Sequence, residues 1–176
     1  MILGVGTDMV EISRVEKACE RGAFFLHSFT EGERAHVAQY SSGERAHVAR
    51  YSSGECRMPG MGKMRETPTD GTGEGLMADE PVDIGESARS TESANRCMTT
   101  LAGDFAVKEA VAKALGTGFR GFGPGDIGVL RDGLGKPYVE LAGGAKARLE
   151  EIGATAVHVS ITNTKEYAFA FAVVER

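Results

Sequence analysis

The stretch TTLAGDFAVKEAVAKAL, residues 99–115, decides the fold. Leu101, Phe105, Ala112 and Leu115 recur at helical spacing and Gly116 supplies a stop, so the pattern predicts a long helix with one apolar face. Upstream, MILGVGT (1–7) reads as a buried strand ending at Asp8. Residues 11–21 read as a helix with Ile12, Val15 and Ala18 or Cys19 inward and Glu16, Lys17, Glu20 and Arg21 outward. Thr30-Glu31-Gly32-Glu33 is a capping box, in which a hydroxyl and a carboxylate satisfy the free amides of a helix N-terminus. Downstream come a glycine-rich loop (GTGFRGFGPG, 116–125), a strand at 126–131, a turn at 132–135 and a strand at 137–141. A short helix at 143–152 then leads to strands at 155–162 and 166–174, joined through Asn163-Thr164-Lys165. Strands and helices mix without a regular βαβ alternation, which predicts an α+β fold.

The length of 176 residues suits a single core, since one domain is usually about 100–200 residues. A formal charge of −5 gives no electrostatic footprint for nucleic acid. No run approaches the roughly 18–20 apolar residues that a membrane helix needs, so a soluble protein is expected. Met1–Asp8 has neither a basic region nor a small-residue cleavage site and is expected to be a strand rather than an export signal. Cys19, Cys56 and Cys97 are odd in number and widely spaced, which predicts reduced thiols in a cytoplasm and disfavours zinc. The four histidines, His27, His36, His47 and His158, form no metal-binding helical pair.

One region departs from the rest. Residues 54–95 hold nine acids, four bases, seven glycines and no aromatic residue, with Leu76, Val82 and Ile84 as the only large branched aliphatics. Such a segment buries too little apolar surface to offset ordering, so a disordered insert is expected, about 43–95, interrupting one domain that spans 1–176. Just before it, GERAHVAQYSS (32–42) is followed by GERAHVARYSS (43–53), identical at ten of eleven positions. Two copies of so short a unit build no solenoid. A local duplication explains them, and the functional alternative is a paired surface of Arg34, His36, Arg45 and His47.

Two acids stand in apolar surroundings: Asp8 at the end of the first strand and Glu109 within the long helix. A carboxylate so placed must be paired, protonated or bound to a cation. If the two meet, they suit Mg²⁺, which is commonly held by one or two carboxylates plus water and phosphate oxygens. The plainer reading of Asp8 is a turn or helix cap. Lys113, four residues after Glu109, is either half of a surface salt bridge or a phosphate ligand beside a metal. Lys108, between Phe105 and Ala112, either snorkels or points inward as a ligand. His158, in AVHVSI, reads as a satisfied core imidazole.

The segments GVGTDMVEISRVEKA, LAGDFAVKEAVAKALGTG, GKPYVEL and HVSITNTKEYAFAFAVVE resemble, in that order, the bacterial holo-acyl-carrier-protein synthases, which are 4′-phosphopantetheinyl transferases. The likeness covers the chain except about residues 42–98. It implies an enzyme that moves phosphopantetheine from coenzyme A to a serine of an apo acyl carrier protein, leaving adenosine 3′,5′-bisphosphate, in fatty-acid or polyketide synthesis. The resemblance implies a compact protomer with an antiparallel sheet and a long central helix, assembled as a homotrimer with coenzyme A between subunits. Asp8 and Glu109 then become the Mg²⁺ ligands and, with Lys113, the catalytic group. Lys108, Lys113, Gly116, Pro137, Ser160, Asn163 and Thr164 become cofactor-binding residues, and Arg14 and Arg21 the docking site for the carrier protein. The chain departs from the family pattern at Asp104, where Arg or Lys is usual, and at Asn163, where His is frequent. A reversed charge at 104 near an anionic ligand, together with the acidic insert, leaves a second reading open: a catalytically weakened module that binds coenzyme A or carrier protein without turnover.

Overall fold

The segment Tyr-Ala-Phe-Ala-Phe-Ala-Val-Val-Glu, 167–175, sorts itself by strand periodicity. Ala168, Ala170, Ala172 and Val174 are buried on one face, while Tyr167, Phe169 and Phe171 are exposed on the other. In the computed structural model, which describes residues 1–41 and 84–176, this strand is the middle of a three-stranded antiparallel sheet. We label it β5 (Tyr167–Glu175); it is flanked by β1 (Ile2–Glu11) and β4 (Ala156–Asn163). A separate antiparallel ribbon pairs β2 (Ile127–Arg131) with β3 (Pro137–Leu141).

The inner face of the larger sheet is built from very small residues. Gly6 pairs with Ala172 and Asp8 with Ala170. The long helix α4 (Ile84–Ala114) lies on this face. It comes so near that a Cβ on Gly6 would stand 2.0 Å from the carbonyl oxygen of Ala110, and one on Gly4 would stand 2.0 Å from that of Ala114. Only glycine permits that approach at both positions. Ala106, Val107, Ala110, Val111 and Ala114 of α4 join Ala170, Ala172, Val174, Ile127 and Val129 in one core cluster.

A second cluster lies at the other part of α4, where Met98, Leu101 and Ala102 meet three short helices. These are α1 (Ile12–Cys19), α2 (Gly22–Ser28) and α3 (Glu31–Ala38). The helix expected over 11–21 therefore ends at Cys19, and the chain turns at Arg21 into α2, which brings Phe24, Phe25 and Phe29 against Phe105. Helix α5 (Gly143–Glu151) precedes β4 and contributes Ala145 to the first cluster.

The capping box at Thr30 forms as its spacing predicts: the Glu33 amide donates to the Thr30 hydroxyl at 3.4 Å and the Thr30 amide to Glu33 Oε2 at 2.6 Å. The second repeat copy, with Arg45 and His47, and the insert up to residue 83 lie outside the described residues. Within the expected insert, residues 84–95 correct the composition-based reading, because their backbone is the first part of α4. A helix already packed from Met98 onward extends at little cost, since propagation adds one hydrogen bond for each residue fixed.

The end of the first described stretch is tied to α4: the Ser93 hydroxyl donates to the Tyr40 carbonyl, and the Arg96 guanidinium stands 5.8 Å from the Tyr40 ring centroid. Replacing residues 43–83 with a short Gly/Ser linker is accordingly expected to leave a single cooperative thermal transition. The midpoint should stay within about 2–4 °C of the parent, the shift that roughly 1 kcal/mol produces at this size. Loss of the cooperative transition would show that the segment supplies part of the core.

Candidate active site

The alternation of β1 aims Asp8 at α4, because positions 4, 6 and 8 share the inner face. Where the two glycines admit the helix backbone, Asp8 supplies a side chain that reaches Lys113: Lys113 Nζ donates to Asp8 Oδ1 at 2.7 Å and to the Thr7 carbonyl at 2.9 Å. Asp8 is largely enclosed, with 16% of its side chain exposed, whereas Lys113 keeps 48%. Glu109 lies one helical turn before Lys113 on the same side of α4. Its carboxyl is raised from its ordinary value, first by burial, then by the like charge of Asp8, with Lys113 acting in the opposite direction. The two acids that stood out in the sequence thus share one electrostatic site, 101 positions apart along the chain.

That donor set fits a hard divalent cation. The two carboxylates repel one another, as the raised Glu109 carboxyl records, and a cation between them reverses the repulsion. Among the described residues no group of three or more His, Cys, Asp or Glu side chains gathers as a ligand set. Two carboxylates with the remaining positions left for water and phosphate match what Mg²⁺ accepts.

At the end of α4 the chain turns through Gly116 (φ 82°) and Gly118 (φ 58°), and the Gly118 amide closes on the Ala112 carbonyl at 3.0 Å. Both glycines use the left-handed region that side chains avoid. Gly116 thereby follows Lys113 by three residues at the C-terminal end of α4. Asn163, the last residue of β4, lies on the inner face, with its Oδ1 3.7 Å from the position a Cβ on Gly103 would take.

Other expected ligands fall elsewhere. Lys108 is a correction: it has no exposed surface, and its ammonium is consumed by Glu33 Oε2 at 2.9 Å, by the Pro124 carbonyl at 3.0 Å and by the Ile127 carbonyl. It holds α4 to α3 and β2 and has no donor left for a cofactor. Ser160 pairs with Phe171 and points from the outer face of the sheet, away from Asp8. Pro137 opens β3 opposite Arg131 in the ribbon. Thr164 uses its hydroxyl in the β4–β5 turn, accepting from the Tyr167 amide at 2.9 Å and the Glu166 amide at 3.2 Å. Among the described residues no hydrogen bond or ion pair joins Ser160, Pro137 or Thr164 to the Asp8 group within one protomer. Arg14 and Arg21 are exposed, on α1 and before α2. His158, expected in the core, is on the outer face and pairs with Glu175 at 2.8 Å. Half-buried Cys97 has its thiol pushed up to about 11 by burial, which makes it a poor nucleophile.

Two residues with structural consequence escaped the sequence reading. Glu33 is the capping-box acid and also the fully buried partner of Lys108, and its Oε1 takes the Val129 amide at 3.2 Å. Arg131 answers Asp104, which is fully buried and bonded to it at 2.5 Å. The signal for both was present: Asp104 and Lys108 lie one turn apart among residues of a packed helix face, and each needed a partner. The charge reversal at 104 is therefore neutralised inside the protein and is not presented to an anionic ligand, which removes one of the two grounds for the weakened-module reading; the other, the acidic insert, lies outside the described residues up to residue 83.

Comparison with known proteins identifies the family. Residues 76–172 match the model of the 4′-phosphopantetheinyl transferase superfamily. The chain is 37% identical over 175 residues to a holo-[acyl-carrier-protein] synthase of Lachnoclostridium phytofermentans, covering 99% of this chain and 97% of that protein. It is 35% identical over 176 residues to one of Clostridium novyi, covering 99% and 88%. Among solved structures, the Neisseria meningitidis holo-[acyl-carrier-protein] synthase superposes with a TM-score of 0.62 at 27% identity over the whole of both chains. The Bacillus anthracis enzyme, in complex with CoA (3′,5′-ADP), superposes at 0.58 and 26%, covering 99% and 97%. The chain belongs to the holo-[acyl-carrier-protein] synthase family within that superfamily.

Asp104 makes a pH test available. Burial pushes its carboxyl up to about 7, against the opposing pull of Arg131. An acid with a raised folded-state pKa contributes stability that is complete below its unfolded value and is lost as pH rises through the folded one. Between about pH 4 and 8 the parent should therefore lose stability relative to Asp104→Asn, read as a steady change in the difference of their unfolding midpoints. A difference independent of pH would show that Asp104 does not titrate in that window.

Proposed function

We propose that this chain transfers the 4′-phosphopantetheine group from coenzyme A to a serine hydroxyl of an apo acyl carrier protein and releases adenosine 3′,5′-bisphosphate. The observation that carries the reading is the convergence of Asp8, Glu109 and Lys113 at one site in a chain of this family. The serine oxygen attacks the β-phosphorus of coenzyme A, and the bond from that phosphorus to the bridging pyrophosphate oxygen breaks. The nucleophile belongs to the carrier, so this chain needs no nucleophilic triad. Its own task is to hold a polyanion and to manage one proton.

Asp8 and Glu109 would hold Mg²⁺, which when bound supplies positive charge to the pyrophosphate oxygens and the leaving group. Lys113 offers a mobile ammonium to the same phosphates. The serine proton passes to a water at the site or to the Glu109 carboxylate. Gly116 offers bare backbone at the end of α4, and Asn163 can donate an amide hydrogen bond where a histidine is frequent in the family. Arg14 and Arg21 form the docking surface for an acidic carrier protein.

The outer face of the sheet supports assembly of identical copies. Val5 is 57% exposed, Met9 62%, Phe169 37% and Phe171 39%, and together they form an apolar patch across β1 and β5. A patch of that kind rarely stays in water. A homotrimer covers it and places Ser160, on the same face, at a subunit boundary where coenzyme A binds together with Pro137 and Thr164. The setting is the cytoplasm, in fatty-acid or polyketide synthesis, where the cysteines remain thiols. No helix of the described residues is long and apolar enough to cross a membrane.

Incubation with coenzyme A, Mg²⁺ and apo carrier protein should raise the carrier mass by one phosphopantetheine. Asp8→Ala and Glu109→Ala should each lower the rate by on the order of 10²–10³-fold or more, with unfolding transitions kept. Unimpaired transfer by both variants would remove the carboxylates from the mechanism.

A further inference from the structure

Asp8 already has a cationic partner within the chain. Lys113 Nζ sits 2.7 Å from Asp8 Oδ1 and 2.9 Å from the Thr7 carbonyl, so two of its three donors are spent on adjacent residues of β1. The ammonium occupies the carboxylate that the cation site requires. Asp8, in a rigid strand and largely enclosed, cannot turn away from it, whereas Lys113 is about half exposed on a flexible stem and can. Glu109, one turn earlier on α4, feels the same ammonium.

We propose that Lys113 is a resident counter-cation that a divalent metal must displace, and that the pyrophosphate of coenzyme A releases it by offering the ammonium a better anion. This rests on the function proposed above and concerns the order in which the site fills. A divalent ion approaching the free enzyme meets a positive charge already bound to Asp8. When the pyrophosphate arrives, Lys113 moves to the phosphate oxygens, Asp8 is freed, and the metal enters between two carboxylates and the same phosphates. Metal and coenzyme A are therefore taken up cooperatively. By linkage, whatever factor coenzyme A adds to metal affinity, the metal adds to coenzyme A affinity.

The device has a structural use as well. Two acids facing each other without a counter-charge would repel, and Lys113 keeps them in place while the site waits for its ligands. Removing it should leave a site that binds metal more readily on its own and depends less on coenzyme A.

The test is Mn²⁺ binding, followed by electron paramagnetic resonance or calorimetry at one pH and ionic strength, with and without coenzyme A. The parent should bind Mn²⁺ weakly alone and more tightly with coenzyme A, within the roughly 5–150-fold range usual for coupled sites. Lys113→Met should bind Mn²⁺ alone about tenfold more tightly than the parent, and the factor coenzyme A then adds, now from its phosphate ligands alone, should be smaller than in the parent. Lys113→Arg, which keeps a charge at the position, should restore weak binding of the lone metal. If Lys113→Met binds lone Mn²⁺ no more tightly and keeps the parent's coupling, the resident-cation proposal is wrong while the metal site stands. If the parent binds no Mn²⁺ even with coenzyme A, the metal site and this proposal both fail.

Discussion

The close seating of α4 on β1 is the constraint from which the site follows. Strand and helix backbones approach until the Ala110 and Ala114 carbonyls fill the space where side chains of residues 6 and 4 would stand. The alanines of β5 keep the neighbouring strand equally low against the helix. With that spacing set, a side chain at position 8 meets the turn of α4 that carries Glu109 and Lys113. A wider gap would need long side chains to fill it and would separate the acids. Small residues here thus serve function as much as packing.

The opposite side of α4 is fixed by charge. Glu33 with Lys108 and Asp104 with Arg131 form two buried ion pairs that join the helix to α3 and β2. Buried pairs add little net stability over an apolar replacement, yet removing one partner is costly, because the other is left uncompensated. Among the described residues one oxygen of Asp104 has no hydrogen-bond partner, and its carboxyl is raised first by burial and also by the charge of Glu33, against the pull of Arg131 and Lys108. These pairs fix the rotation of α4 about its axis, so that Lys108 turns inward while Glu109, the next residue, turns toward Asp8.

Much of this could be read from local pattern. The Thr30 capping box, the α4 repeat of apolar residues, the alternation of β5 and the exceptional settings of Asp8 and Glu109 each signal within a few positions. What could not be read depends on distant partners. The sequence leaves Lys108 between a snorkelling side chain and an inward ligand, because its partner Glu33 is 75 positions away. Asp104 looked like a reversed surface charge until Arg131, 27 positions on, was placed beside it. Helix α2 was missed because Gly-Ala-Phe-Phe-Leu-His-Ser has little helical periodicity, and its aromatic residues find their register only against Phe105. Residues 84–95 were assigned to the insert on composition, although the packed part of α4 extends its helix through them.

The most direct measurement is paramagnetic broadening of backbone amide signals by Mn²⁺ in the coenzyme A complex of the isotopically labelled protein. The account predicts that the amides around positions 8 and 109 lose intensity together, at the same metal concentration, before any other part of the chain. Broadening confined to one of the two positions, or centred elsewhere, would contradict it.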